Sequence, residues 1–178
     1  MELVAWLELS NMKPRWIVIL AFVAALASPA LAADDDLMGK TLAGLRGVRA
    51  EVVKMEDPDA EREGLTQSIL RTDVELRLRQ SGIRVLTDAD DVRTQGTLQL
   101  QVRTVKGEHG FYAYTIDFGL WQFVRLIRDP SIASVAVTWR AGKGGFKGTP
   151  RFPEKIRNDV RDMVDEFINA YLAANPKR

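Results

Sequence analysis

The sequence predicts an α+β fold, a two-layer sandwich in which two helices cover one face of a mostly antiparallel sheet of four or five strands. Three observations lead to this prediction. Alternation of apolar and polar residues recurs in several segments, the longest of them at 111–127. Two segments, 61–81 and 153–174, carry apolar residues at helical spacing. These segments follow one another along the chain in the order β-α-β-β-β-β-α.

The first strand and the first helix are separated by a helix-start signal. The strand is predicted at 46–55, where aliphatic residues alternate with charged ones. Asp57, followed by a proline, is one candidate N-cap for the helix, and Thr66 is a second. Gly64 lies between them and is a possible break in the first turn. With either cap, the helix is predicted to continue to about residue 81.

This helix carries two apolar stripes on nearly opposite sides. The first stripe consists of Leu65, Ile69, Thr72 and Leu76. The second consists of Leu70, Val74 and Leu78. Because one stripe is enough to pack on a sheet, the other must meet a second helix, a loop or a partner protein. The second stripe is therefore a candidate part of a partner surface.

The remaining strands are predicted at 83–86, 96–105, 111–127 and 133–140. A compact turn at 106–110 joins the second and third of these into an antiparallel hairpin. Polar residues alternate with apolar ones in the last three strands, which is typical of a sheet with one solvated face. The predicted core includes Leu98, Leu100, Val102, Ile116, Phe118, Val135, Val137, Val160, Val164 and Phe167.

A glycine-rich, basic stretch at 140–151 contains a predicted loop, 141–150, between the last strand and the last helix. Its candidate anion-binding residues, for a phosphate or a lipid headgroup, are Arg140, Lys143, Lys147 and Arg151. The stretch matches neither the spacing of a dinucleotide-binding loop nor that of a P-loop. The alternative is a mobile loop that its lysines keep soluble.

Trp121 and Phe123 are aromatic residues on the odd-numbered face of the long strand. If the strand is regular, both lie outside the layer that the helices cover. If Gly119 forms a β-bulge, the register inverts and both side chains turn inward. On the first alternative, Trp121, Phe123 and Arg125 form a self-association or partner surface.

The N-terminus has the layout of an export signal. A basic patch at 13–15 precedes an apolar run at 16–27, and small residues follow up to Ala32. We therefore predict a signal peptide at 1–32, with Met12 as a candidate true start, and a periplasmic or secreted product with no stable membrane span. The alternative is an uncleaved anchor. A flexible mature N-terminus at 33–44 and a single α+β domain at 45–178 complete the predicted organisation.

Composition excludes several classes of site. The chain has 178 residues and no cysteine, so it has neither a disulfide scaffold nor a thiolate nucleophile. Its net charge is +1, which gives no electrostatic reason to expect a nucleic acid partner. His109 is the only histidine and lies in a predicted turn. No motif identifies a catalytic, cofactor-binding or metal-binding residue, and no cofactor is expected.

One segment resembles exported bacterial proteins of uncharacterised function. It runs from Leu70 to Ile83, LRTDVELRLRQSGI, and is followed by Val85 and Leu86. Over about 46–140 the pattern is also similar to small envelope modules, such as the N-terminal domain of the Tol-system periplasmic propeller protein (the TolB N-terminal-like domain) and related lipoprotein domains. Unlike the lipoproteins, this chain has no cysteine to acylate.

The resemblance implies a binding or assembly role in the bacterial envelope. We therefore expect a non-catalytic interaction protein whose partner is another envelope protein or a second copy of the chain. The alternative function is a periplasmic hydrolase, or a binder of anions or lipid headgroups through the basic stretch 140–151.

Overall fold

The computed structural model describes residues 37–53, 57–87, 90, 95–148 and 151–176. Every element named below belongs to the unit Met38–Arg178. The predicted signal peptide lies outside the described residues. Within the predicted N-terminal tail, the amide of Thr41 donates to the carbonyl of Met38, and the turn that follows buries Leu42.

Four strands form one sheet in the order in which they occur along the chain. Their bounds are Arg49–Val52 (β1), Thr97–Lys106 (β2), Phe111–Leu126 (β3) and Asp129–Gly148 (β4). β1 is parallel to β2, whereas β3 is antiparallel to both of its neighbours. The strand predicted at 83–86 is reduced to a single parallel bridge between Val85 and Val48.

Two helices are predicted from the sequence, and the structure divides the first of them into two. Their bounds are Pro58–Arg62 (α1), Gln67–Gln80 (α2) and Phe152–Ala174 (α3). Both candidate N-caps are used, because Asp57 accepts from the first turn of α1 and Thr66 accepts from the amide of Ile69 in α2. Gly64 separates the two helices at φ +90°, a conformation that glycine adopts without strain. In the described part of the chain, no helix is long and apolar enough to cross a bilayer.

The core lies between the sheet and the two long helices, as predicted. Phe118, Trp139 and Phe167 form an aromatic cluster at its centre, with edge-to-face contacts between ring centroids at 5.1–6.4 Å. The stripe of Leu70, Val74 and Leu78 is fully part of this core, so its prediction as a partner surface is wrong. α2 packs against both β1 and α3, and its opposite side, around Leu76, is the exposed one.

The predicted loop at 141–150 is a strand as far as its described residues extend. β4 continues to Gly148 and pairs with β3 back to Phe111. Its glycines, which suggest a loop from sequence alone, are accommodated because the long strand β3 offers a pairing partner along the whole stretch. Residues 149 and 150 lie outside the described residues.

A β-bulge in β4 changes which of its residues face the helices. Leu120 pairs with Trp139, but Trp121 pairs with Val137, so Thr138 is an extra residue on β4. Trp139 therefore faces the core, while Val137 and Val135 face away from it. The prediction that these two valines are core residues is wrong for this reason.

Candidate interaction surface

The side of the sheet opposite α2 and α3, here called the outer face, is not covered by any element in the described part of the chain. Alternate residues of β2, β3 and β4 point to this side. The middle of the outer face is polar. Its side chains there are Gln99, Gln101, Arg103, Asp117 and Arg140.

Next to this polar region lies an apolar cluster, here called the outer-face patch, made of Trp121, Phe123, Val135 and Val137. Trp121 pairs with Val137 and Phe123 with Val135, so the four side chains are direct cross-strand neighbours. Their exposed fractions are 37%, 51%, 47% and 41%. These values are far above the 5% of Trp139 in the core. The patch is therefore open to solvent in the described chain.

The position of Trp121 and Phe123 follows from an unbroken alternation in β3. Even-numbered residues up to Leu120 face the core, and odd-numbered residues face outward as far as Arg125. A bulge does occur close to Gly119, but it lies on β4 and leaves the register of β3 unchanged. Of the two alternatives left open by the sequence, the regular strand is confirmed.

Two residues of the patch, Phe123 and Val135, lie on a two-stranded arm formed by residues 122–136. This arm extends past the end of β2. The pairing of β2 with β3 ends at Trp121, so beyond it β3 pairs only with β4. The guanidinium of Arg125 donates to the carbonyl of Pro130 across the arm at 2.7 Å. Ile127, in the turn at the tip, is completely exposed. The arm therefore presents apolar side chains away from the body of the domain.

A shallow groove of about 680 Å³ separates the patch from the polar middle of the outer face. Trp121 and Val137 form its apolar side, and Gly119 and Gly142 are part of its floor. On the polar side, Arg103 donates to Asp117 at 3.0 Å and to Gln101 at 2.6 Å. Arg140 also borders the groove.

The structure does not bring the four predicted anion-binding residues together. Arg140 points to the outer face, whereas Lys143 points to the helix side of the sheet, where it meets Asp162 of α3 at 2.8 Å. That hydrogen bond raises the pKa of Lys143 above its ordinary value. Lys147 lies four residues after Lys143 on the same strand and therefore on the same, helix-covered side of the sheet. Arg151 immediately precedes α3. A single anion therefore cannot contact all four side chains.

Asp159 of α3 is the buried acidic residue of this helix side. It accepts a hydrogen bond from the hydroxyl of Tyr114 at 2.8 Å and forms an ion pair with Lys155. Burial alone would raise the pKa of Asp159, but the hydrogen bonds from Lys155 and Tyr114 outweigh it and hold the pKa below its usual value. Burial raises the pKa of Tyr114, and its bond to Asp159 adds to this effect. The group links β3 to α3.

Replacing this carboxylate tests its contribution to stability. A carboxyl group whose pKa is lowered by folding stabilises the fold above its unfolded pKa, and the contribution is lost as the pH falls through the folded pKa. We expect Asp159→Asn to lower the free energy of unfolding by about 1–3 kcal/mol at pH 7 and by much less near pH 2. Urea denaturation at both pH values measures this. Asp162→Asn, at an exposed carboxylate, is the control and should change stability by less than about 0.5 kcal/mol.

The sequence missed two parts of this surface. Val135 and Val137 belong to the patch only because of the bulge at Thr138. A threonine is common in regular strands, so the sequence does not predict a bulge there. The proximity of Arg140 to Trp121 was missed because the two belong to different strands, whose register fixes it. The outward position of Phe123 was one of two stated alternatives.

In the described residues, no group of three or more His, Asp or Glu side chains is placed to hold a metal ion.

Comparisons with known proteins give only distant structural likenesses. No family model matches the sequence, and neither does any curated protein. Among solved structures, the chain is similar to a PelC dodecamer from Paraburkholderia phytofirmans, with 19% identity over 72% of this chain and 91% of that one, and a TM-score of 0.39. It is also similar to a minor lipoprotein from Acinetobacter baumannii, with 11% identity over 72% and 92% of the two chains and a TM-score of 0.26. At these TM-scores neither likeness identifies a function.

Proposed function

We propose that this chain is an exported, non-catalytic interaction module of the bacterial cell envelope. In this proposal the outer-face patch binds another protein chain, and the helix side of the sheet serves only to hold the strands in place. The export part rests on the order of basic, apolar and small residues at 13–32. The interaction part rests on the patch.

The observation that supports binding is the exposure of four adjacent large apolar side chains on two hydrogen-bonded strands. Single exposed apolar residues are common on protein surfaces, but a contiguous group on one face is typical of an interface. Trp121 and Phe123 belong to the residue types that are enriched in interface cores. Their backbone is fixed by pairing on both sides or within the arm, so that little conformational entropy remains to be lost on binding.

The basic residues give less support to the alternative of an anion or lipid-headgroup binder. Lys143 is already neutralised by Asp162, and Arg140 lies on the opposite side of the sheet. We therefore place the function on the outer face and not on the stretch 140–151 as a unit.

The proposal is tested by expressing the full chain in a bacterial host that processes its signal, followed by fractionation and native mass measurement. We expect a chain that begins at Ala33, outside the cytoplasm, in a complex heavier than the monomer. The same chain without residues 1–32 is the control and should remain in the cytoplasm. Full-length protein in the membrane fraction would contradict processing, and a processed monomer in the native extract would contradict the interaction.

A further inference from the structure

The groove beside the outer-face patch contains one cation that the described chain leaves uncompensated. Arg103 and Asp117 satisfy each other through a 3.0 Å ion pair. Arg140, by contrast, makes no hydrogen bond or ion pair through its side chain with any residue in the described part of the chain. The groove therefore has a net positive charge from its described residues, located at Arg140.

Next to this cation the groove offers space for an apolar group. Trp121 and Val137 form one side, and Gly119 and Gly142 leave the floor without side chains. The floor at Gly142 is open, because a Cβ atom built there would meet only the carbonyl oxygen of Ile116 at 3.6 Å, an ordinary contact distance. Gln99 also borders the groove, and its side-chain amide has no hydrogen-bond partner among the described side chains.

We propose that this groove binds a segment of the partner protein in which a carboxylate side chain lies next to an apolar one. The apolar side chain packs on Trp121 and Val137 above the glycine floor, and the carboxylate meets the guanidinium of Arg140. The inference rests on the proposed function, since it specifies the chemistry of the partner at the same surface.

The charge of the groove selects an acidic segment over a neutral or basic one. A guanidinium binds a carboxylate with two parallel hydrogen bonds, and such charge-assisted bonds are about twice as strong as neutral ones. A basic segment would instead place two cations together in the groove. A protein segment is favoured over a small molecule because the groove is open and shares Trp121 and Val137 with the exposed patch, whereas small-ligand sites enclose most of their ligand.

The mature chain provides its own probe for this test. Beyond residue 32 its tryptophans are Trp121, which borders the groove, and Trp139, which is buried in the core. Two indole N–H signals are therefore expected in an NMR spectrum, and only that of Trp121 should respond to a ligand in the groove. The ligands are two blocked dipeptides that differ in one charge, N-acetyl-leucyl-glutamate amide and N-acetyl-leucyl-glutamine amide.

We expect the acidic dipeptide to shift the Trp121 signal with a dissociation constant of about 1–10 mM, and the neutral one to bind at least about fivefold more weakly. Arg140→Gln should remove this difference. Gly142→Val should abolish binding of both dipeptides, because its side chain fills the floor. Thr115→Val, which adds an apolar side chain to the same face outside the groove, should change nothing.

Equal binding of the two dipeptides, or no shift of Trp121 at about 20 mM of the acidic one, would overturn the inference. So would binding that survives Gly142→Val. These results would not contradict the proposed function if the native extract still contains a complex that is lost when Trp121 and Phe123 are replaced. If that complex is absent as well, both the inference and the proposed function fail.

Discussion

Replacing Trp121 with serine and Phe123 with threonine is expected to abolish the complex and leave the fold intact. Aromatic side chains at the centre of an interface commonly contribute about 2 kcal/mol or more each, so loss of both should weaken binding by roughly a thousandfold. In the free chain both side chains are already substantially exposed. Because both side chains also pack on their cross-strand neighbours, the free energy of unfolding should fall by no more than about 2 kcal/mol, which leaves the chain folded. Native mass in cell extracts and urea denaturation of the purified chain measure the two effects.

The control for this double variant is Val105→Thr. Val105 is an exposed apolar residue of the same outer face, but it lies at the far end of β2 from the patch. It should affect neither the complex nor stability. If the Trp121→Ser, Phe123→Thr chain unfolds, the two aromatics are core residues and the interaction surface lies elsewhere.

Trp139→Ala is expected to be the most destabilising single change in β4, at about 3–5 kcal/mol. Trp139 is 5% exposed and contacts the rings of Phe118 and Phe167, so truncation leaves a cavity in the aromatic cluster. Val137→Ala, only two residues away along the strand, should cost less than about 1 kcal/mol because its side chain faces solvent. Urea denaturation of the two variants gives both values.

The comparison of these two variants tests the bulge at Thr138. In a regular strand, residues 137 and 139 would point to the same side of the sheet, so both would face the core or both would face away from it. Losses of similar size for the two variants, or a larger loss for Val137→Ala, would contradict the bulge and with it the extent of the patch.

Local sequence patterns were sufficient for most of the fold. The alternation in β2 and β3 identified the buried faces correctly, and the two N-caps, Asp57 and Thr66, are both used. These features depend on neighbours within a few residues. The alternation of a strand and the side chain of an N-cap can both be recognised in a short segment, so a single sequence is enough to predict them.

The features that the sequence did not reveal depend on contacts between distant segments. β4 extends through its glycines to Gly148 because β3 supplies hydrogen-bond partners along that length. The stripe around Val74 is buried because both β1 and α3 pack against α2, and the spacing of apolar residues within one helix does not reveal such neighbours. The same limit applied to the site, since Arg140 and Trp121 approach each other only through the register of two strands.

The most direct test of the account is site-specific photocrosslinking in intact cells. A photoreactive phenylalanine analogue is placed at Phe123, in the outer-face patch, and in a second strain at Phe111, an exposed residue on the same face of β3 but at its opposite end. We predict a covalent adduct with another protein chain from position 123 and none, or far less, from position 111. An absence of adducts at position 123, or equal adducts at both positions, would contradict the claim that the outer-face patch is an interaction surface.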